Sequence, residues 1–384
     1  LDEHGAKMSK SAGNGIDPLV MIQGGTQVRF GKEFAYEGYG ADAVRYTLCA
    51  LTTEGQDIRL SPTRFEMGRN FINKVWNASR FVMLSLQELG GVPDAFDRAA
   101  LKFEDRWILS RLAAVTADMA QARERFRFND LATAIYDFTW RDYCDWYVEM
   151  VKTRLRAKGA DGQTAGAVLA HVLDAILRLL HPIAPLFTEE VWSLLARVRG
   201  RPSAPPYLMQ QSTPDLDPLL RDDALEQVMA RVQDVVRSIR NVRAKFRIAP
   251  KAPLAAVISV VDEASARQLD EHADLIRSQA LTGELHIGKG LVKPEQAATE
   301  VMQGMQVFVP LAGLMDVEVE RTRVAKELEK KEASLNSLIA KLHNQEFMKK
   351  APPEVVEREQ ARKEELLRQI TELKTSSDSE AALE

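Results

Sequence analysis

The stretch Lys7-Met8-Ser9-Lys10-Ser11-Ala12-Gly13-Asn14-Gly15 lies almost at the head of the chain, and its reading governs everything downstream. Two ammonium groups three residues apart on a Gly-punctuated loop can reach opposite oxygens of one polyphosphate. The small residues beside them let backbone N–H groups approach the same anion. The stretch is not a Walker A element, because its lysines precede its glycines instead of following them. A solvated turn is the plain alternative for any Lys/Ser/Gly segment.

Outward from this loop, Asp17 and Pro18 suit a helix N-cap and first helical position, and 41–53 (ADAVRYTLCALTT) has the spacing of a second helix. The Gly-rich run 23–38 (QGGTQVRFGKEFAYEG) between them predicts a surface hairpin or a mobile loop. Ser61 and Pro62 open a helical region with helices at about 62–89, 104–126, 130–156, 164–181 and 188–197. Leu131, Ile135, Phe138, Trp146 and Met150 form one stripe, and Tyr136, Trp140, Tyr143 and Tyr147 another, so 129–150 has two apolar faces and reads as core packing.

A Pro-rich connection (Pro202, Pro205, Pro206, Pro214, Pro218) leads to a helix at 219–245. A small α/β module then follows: a strand at 254–261, a helix at 263–281, short strands near Leu285 and at 306–309, and a return strand at 315–319. Val324, Leu328, Leu335, Leu338 and Leu342, then Leu366, Ile370 and Leu373, have coiled-coil spacing interrupted by Pro352 and Pro353. This predicts an antiparallel hairpin with arms of about twenty residues, roughly 30 Å of rod.

With 384 residues, 45% hydrophobic and 28% charged, the chain is long enough for two or three domains with real cores. A formal net charge of −4 gives no global pull toward nucleic acid, so any RNA binding must come from local basic surfaces. Only Cys49 and Cys144 are present, without a C-x-x-C companion; this argues against a disulfide framework or a zinc knuckle and for a cytoplasmic setting, with no metal site expected. The most apolar stretch, 168–187, carries His171, Asp174, Arg178 and His181 and is cut by Pro182, which predicts a buried helix and no membrane span. The sequence opens on Leu1 in mid-motif without an initiator Met, as a piece of a longer protein would.

Two basic surfaces stand out. From Arg231 to Lys251 there are seven positive residues against one negative, and Val232, Val235, Val236, Ile239 and Val242 take the inward face. Arg237, Arg240, Arg243 and Lys245 are the candidates for RNA phosphates there, with a solvated charged face as the alternative. In the tail, 321–350 holds eight positive and four negative residues, whereas 354–374 holds five and six. The first arm is therefore the basic one, and Arg321, Arg323, Lys326, Lys330 and Lys331 are its RNA-binding candidates.

The opening pentapeptide resembles the KMSKS signature of class I aminoacyl-tRNA synthetases, and Gly13, Asn14, Ile16, Asp17 and Pro18 match its continuation. In that family Tyr39-Gly40-Ala41-Asp42-Ala43 would follow the first helix almost at once, so 23–38 reads as an insertion. Arg69-Asn70-Phe71, Asn73-Lys74, Trp76-Asn77, Arg80-Phe81 and Cys144-Asp145-Trp146-Tyr147 are similar to the anticodon-binding bundle of the valyl and isoleucyl branches. Gln56-Asp57-Ile58 and the tail, with Lys341-Leu342, Asn344, Phe347, Ala351-Pro352 and Glu354-Val355-Val356, resemble the valyl branch.

The resemblance implies a mainly α chain in four parts. These are the C-terminal end of a Rossmann-like catalytic domain (1–60), an all-α anticodon-binding bundle (61–205), a basic helix with a small α/β module (206–319), and a coiled-coil tRNA-binding hairpin with a disordered tail (320–384). It also implies ATP-dependent activation of L-valine and transfer to tRNA(Val) by a monomer. Lys7, Met8, Ser9, Lys10 and Ser11 would contact ATP, Lys7 and Lys10 would stabilise its triphosphate as catalytic residues, and Mg2+ would accompany the nucleotide. The valine pocket, the upstream His signature and the editing domain would lie outside this sequence, leaving the piece alone able to bind tRNA but not to aminoacylate it. His286-Ile287-Gly288 imitates that His signature but lies downstream of the lysines and continues with Lys289. An isoleucyl-type synthetase, a non-catalytic tRNA-binding module and a coiled-coil adaptor are the rival readings.

Overall fold

The computed structural model describes residues 1–52, 57–200, 206–214, 216, 220–249, 252–312, 317–343, 359–360 and 362–371, without the side chains of 317–325 and 327. Gln56, Lys251, the Pro352–Pro353 break and the tail expected to be disordered lie outside the described residues. The chain is mostly helical with a small sheet and divides into two compact units, 1–229 and 230–384.

In the first unit, Asp17 caps α1 (Pro18–Gln23): its carboxylate accepts from the Leu19 N–H at 2.8 Å, and Pro18 occupies the first turn. The run 23–38 folds as a hairpin of β1 (Gly25–Arg29) and β2 (Lys32–Tyr36), with Arg29 opposite Lys32 across a two-residue turn. Next comes α2 (Ala41–Leu51), and a short 3₁₀ turn at Pro62–Arg64 leads into α3 (Phe65–Glu88). These two helices touch backbone to side: a Cβ on Gly68 would lie 2.3 Å from the Ala43 carbonyl oxygen and 2.5 Å from Thr47 Oγ1. Only glycine allows that approach.

The bundle continues with α4 (Phe103–Glu124), α5 (Phe128–Asp137), α6 (Val148–Ala157), α7 (Gly159–Leu180) and α8 (Pro185–Val198). Helix α7 packs against α3, α4, α5, α6 and α8. It is the one helix among the described residues that is long and apolar enough to cross a membrane, yet 72% of that window is buried inside the bundle. Each fully buried Leu or Ile on it contributes about 1.5–3 kcal/mol relative to exposure.

The predicted helix at 130–156 is helical throughout but wound as a π-helix over Phe138–Tyr147. The wider turn brings residues five apart into line, so Phe138 and Tyr143 fall on one edge and regular α-periodicity fails there. Tyr143 and Tyr147 are buried, their hydroxyls donating to the Leu169 carbonyl at 3.0 Å and to Asp105 Oδ1 at 2.7 Å. Burial holds both phenols well above the usual tyrosine range. The aromatic stripe is therefore core at these two positions.

Helix α9 (Asp223–Lys245) runs from the first unit into the second, where Val232, Val235, Val236, Ile239 and Val242 are fully buried, as the sequence requires. The second unit's sheet has the order β4 (Thr282–Lys289), β3 (Leu254–Val260), β6 (Met305–Pro310) and β5 (Ala297–Met302). The β3–β4 pair is parallel, joined by α10 (Glu263–Asp270) and α11 (Ala273–Ala280); the other two pairs are antiparallel. The expected single helix at 263–281 is thus two, and β5 is a strand that sequence reading missed.

Of the return strand expected at 315–319, residues 317–319 instead open α12 (Val317–His343), and 315–316 lie outside the described residues. Two alternations, Val317 and Val319, are too few to fix a strand, while Glu318 and Glu320 suit the positive end of a helix. At 27 residues, α12 is about 40 Å long, more than the predicted arm. Lys331 bonds Gln369 at 2.7 Å and Lys341 bonds Glu359 at 2.9 Å, so partners fall by ten as α12 advances by ten, the register of an antiparallel hairpin. Leu335, Leu338 and Ile370 are buried along it.

Candidate functional site

The lysine loop is built around a buried amide. Asn14, 3% exposed, accepts from the Ser9 N–H at 2.9 Å through Oδ1. Its Nδ2 donates to Asp2 Oδ2 at 2.8 Å and to the Lys7 carbonyl at 3.2 Å. Asp2 in turn accepts the backbone N–H groups of His4 and Ala6 at 3.0 and 2.8 Å. The Asn14 amide, aided by those two N–H groups, holds the Asp2 carboxyl below the usual carboxylate range. Ser9 Oγ lies 3.2 Å from Ser11 Oγ and accepts from the Ala12 N–H at 3.1 Å. These bonds fix the backbone and leave Lys7 and Lys10 exposed. Met8 is half-buried.

The hairpin rests directly on this loop. The Phe30 N–H donates to the Gly13 carbonyl at 3.0 Å, and Gln27 bridges the Gly15 carbonyl (2.9 Å) and the Asp17 N–H (3.1 Å). Arg29 is buried between Glu3 and the Asn14 carbonyl, 3.4 Å from each. Sequence reading quoted Asn14 as part of a motif but gave no role to Asp2 or Arg29. Polar residues 12 and 26 positions from their partners carry no periodic signal.

From the loop, α2 leads into the bundle. Asp42 accepts the Phe187 N–H at the start of α8, and the Tyr46 hydroxyl donates to the Ala132 carbonyl at 3.1 Å. Deeper in the bundle, Arg154 is held by Asp105 in a bidentate pair (2.9 and 2.8 Å), by Glu104 at 2.8 Å and by Asp161 at 2.8 Å. Burial pushes the Glu104 carboxyl up despite its pairing with Arg154. A second knot joins Arg111 to Asp142 at 2.9 Å and to Glu226 at 3.0 Å. Neither was legible in the sequence.

The candidate RNA-binding residues divide by what they touch. Arg240 donates through Nε and Nη2 to the Gln279 carbonyl at 3.1 and 2.8 Å. Arg243 donates to the carbonyls of Ala249, Ala252 and Leu281, each at 2.9 Å. Both guanidiniums thus join the end of α9 to the end of α11. Arg237 pairs with Asp234 at 2.8 Å, and Lys245 is exposed beside the Phe246 ring. On α12, Lys326 and Lys330 are exposed and Lys331 bonds Gln369; Arg321 and Arg323 lie on the helix, with side chains outside the described residues. His286 is exposed on β4 at the sheet edge, within the second unit.

In the bundle, Tyr136 stacks on Trp140 at 5.4 Å, and the Lys74 ammonium lies 4.9 Å from the Trp140 ring centre while bonding Asp145 at 2.6 Å. Lys74 and Asp145 belong to the bundle motifs, whereas Tyr136 and Trp140 belong to the aromatic stripe and are half-buried.

Three family matches fall in order along the chain. Residues 1–61 match the tRNA synthetases of class I (I, L, M and V), 105–258 the anticodon-binding domain of tRNA ligase, and 316–378 the valyl tRNA synthetase tRNA binding arm. A valine–tRNA ligase of Geobacter sulfurreducens is 40% identical over 97% of this chain and 40% of its own length. Another, from Syntrophotalea carbinolica, is 36% identical over 100% of this chain and 41% of its own. The chain spans about two-fifths of the length of these curated relatives. A solved LeuRS complex from Agrobacterium radiobacter K84 has a TM-score of 0.41 and 21% identity over 68% of this chain and 25% of that one, too distant to carry weight. A fixed lysine loop, the quoted bundle motifs and a basic helical arm thus occur in one chain in the order these matches require: the chain belongs to the class I aminoacyl-tRNA synthetases of the valyl type.

Proposed function

We propose that this chain is the working part of a valine–tRNA ligase that carries the KMSKS loop, the anticodon-binding bundle and the tRNA-binding arm. The reaction joins L-valine to ATP as valyl-adenylate with release of pyrophosphate, then transfers the valyl group to tRNA(Val) in the cytosol. Residues 1–60 would be the end of a Rossmann-like catalytic domain. The observation that carries the reading is the lysine loop. Its backbone is fixed by Asn14 and Asp2, and its two ammonium groups are left in solvent, as a site for a mobile polyanion needs.

In this reading Lys7 and Lys10 neutralise the charge that builds on the departing pyrophosphate as the valine carboxylate attacks the α-phosphorus, with magnesium entering as part of the nucleotide substrate. Lys10 is the closer contact to the leaving group. Exposed Lys245, Lys326 and Lys330 supply phosphate contacts to tRNA, together with Arg237 and Lys331 and with Arg321 and Arg323 on the same arm. Arg240 and Arg243 act through the shape of α9, since their donors already hold backbone carbonyls.

Valine-dependent exchange of pyrophosphate into ATP by the full-length protein tests the reading. Lys10→Ala should lower that exchange about 10²- to 10³-fold while leaving tRNA affinity unchanged. Equal loss of both would favour a non-catalytic tRNA-binding module. Binding of tRNA should weaken steeply with added salt, as counterion release requires; a salt-insensitive interaction would favour a protein adaptor.

A further inference from the structure

The hairpin carries a buried guanidinium that stability alone does not explain. Arg29 is 1% exposed, yet its two hydrogen bonds are long, 3.4 Å to Glu3 Oε2 and 3.4 Å to the Asn14 carbonyl, its Nε is buried without a hydrogen-bond partner, and its third contact is the face of the Phe30 ring, 5.2 Å from the guanidinium carbon. An apolar side chain of similar volume would pack there without that desolvation cost. What the guanidinium does have is position. Glu3 precedes the lysine loop and Asn14 follows it, so one side chain touches both ends of the segment that carries Lys7 and Lys10.

The hairpin's own geometry points the same way. Alternate residues of a strand share a face, so Gln27 and Arg29 both meet the loop while Val28 is 65% exposed on the other side. Phe30 has φ +50° and Gly31 φ +71°, the pattern of a two-residue turn that usually carries Asn-Gly. A bulky residue at positive φ there is strained. That strain sits where the Phe30 N–H bonds the Gly13 carbonyl and its ring packs edge-on against His4 at 5.6 Å. At the hairpin's base, Gly24 and Gly38 lie back to back: a Cβ on Gly38 would be 2.6 Å from the Gly24 nitrogen.

We propose that the β1–β2 hairpin is a clamp on the lysine loop and that Arg29 is its positioning residue. It spans Glu3 and the Asn14 carbonyl and so presents Lys7 and Lys10 to a polyphosphate as a preformed pair. The proposal rests on the phosphate-binding reading of those lysines given above. Its advantage is preorganisation: a loop already ordered loses less entropy when the anion binds.

Hydrogen exchange and titration with inorganic tripolyphosphate, both on this chain, test it. Arg29→Ala should speed exchange at the Ser9, Ala12 and Gly13 amides about tenfold or more and leave α7 unchanged. It should also weaken tripolyphosphate binding by several-fold, with Arg29→Lys restoring part of both and Val28→Ala altering neither. Unchanged exchange at Ser9 and Gly13 overturns the clamp; faster exchange with intact affinity overturns the positioning role. If Arg29→Ala also loses protection in α7, Gln27→Ala gives the same comparison by removing only the bonds to Gly15 and Asp17. A wild-type chain that does not bind tripolyphosphate defeats the phosphate reading, and the positioning role with it, while the exchange data still decide the clamp.

Discussion

The cations of the lysine loop and those of α9 look alike in a charge count and behave oppositely in the fold. At the loop, neutral and acidic groups fix the backbone, and the ammonium groups of Lys7 and Lys10 remain exposed. On α9, the guanidiniums of Arg240 and Arg243 are themselves the fasteners, holding carbonyls at the ends of neighbouring segments. The difference follows from chemistry. Arginine's planar fork offers several donors in fixed directions and can satisfy more than one carbonyl at once, whereas lysine's compact ammonium on a flexible stem suits a ligand that comes and goes. Basic sequence density therefore marks where cations are, and only their partners show which are available.

The largest expected effect lies with an arginine committed to the interior. Arg154 neutralises Asp105, which is fully buried, and Glu104, which is nearly so. Arg154→Ala strands both carboxylates and should lower unfolding stability by about 3–5 kcal/mol in denaturant titrations. A loss under 1 kcal/mol would show that the knot is dispensable and that interior arginines resemble the loop lysines after all.

Arg243→Ala comes next. Four carbonyls, those of Ala249, Ala252, Ala280 and Leu281, lose a charged donor, with an expected cost of about 1–3 kcal/mol, localised to the second unit by hydrogen exchange. The slope of tRNA affinity against salt should not change, because this guanidinium is held in carbonyl bonds. A slope reduced by about one phosphate contact would move Arg243 to the lysine class.

Much of this division was beyond sequence reading, for physical reasons. Local signals were legible: Asp17 and Pro18 mark the start of α1, valines at helical spacing mark the buried face of α9, and the Gly-rich run, read as a hairpin or a mobile loop, is a hairpin. The lysine pair was legible as a candidate for the same reason, since its signal is short-range. Asp2, Asn14, Arg29 and Arg154 were not, because their partners are set by tertiary packing and no periodicity records a hydrogen bond across 12, 26 or 49 residues. The π-wound stretch escaped because its aromatics satisfy α-helical spacing on paper, and β5 because AATEVM alternates too weakly.

A smaller effect probes the loop's scaffold. The folded pKa of Asp2 is depressed by the Asn14 amide, so its contribution is present above the unfolded value of 3.8 and is lost as pH falls through the folded pKa. Acidification below pH 4 should therefore speed amide exchange at His4 and Ala6, after correction for intrinsic rates. Asp2→Asn should remove that dependence, and a dependence that persists would assign it to another group.

The smallest expected change is the most diagnostic for the comparison. Among the described residues no hydrogen bond or ion pair engages the Lys7 or Lys10 ammonium, and both side chains are exposed. Exposed substitutions away from caps, cores and networks move stability by less than about 0.5 kcal/mol, so Lys7→Ala and Lys10→Ala should unfold with the wild-type midpoint. Removing two like charges three residues apart could even stabilise the apo loop slightly, since the cations repel when no anion lies between them. Adding tripolyphosphate should then raise the wild-type midpoint and leave that of the double variant where it was, because only a state that binds the anion gains by mass action. A double variant destabilised by more than about 1 kcal/mol would mean the lysines fasten the loop, and the contrast with Arg240 and Arg243 would dissolve.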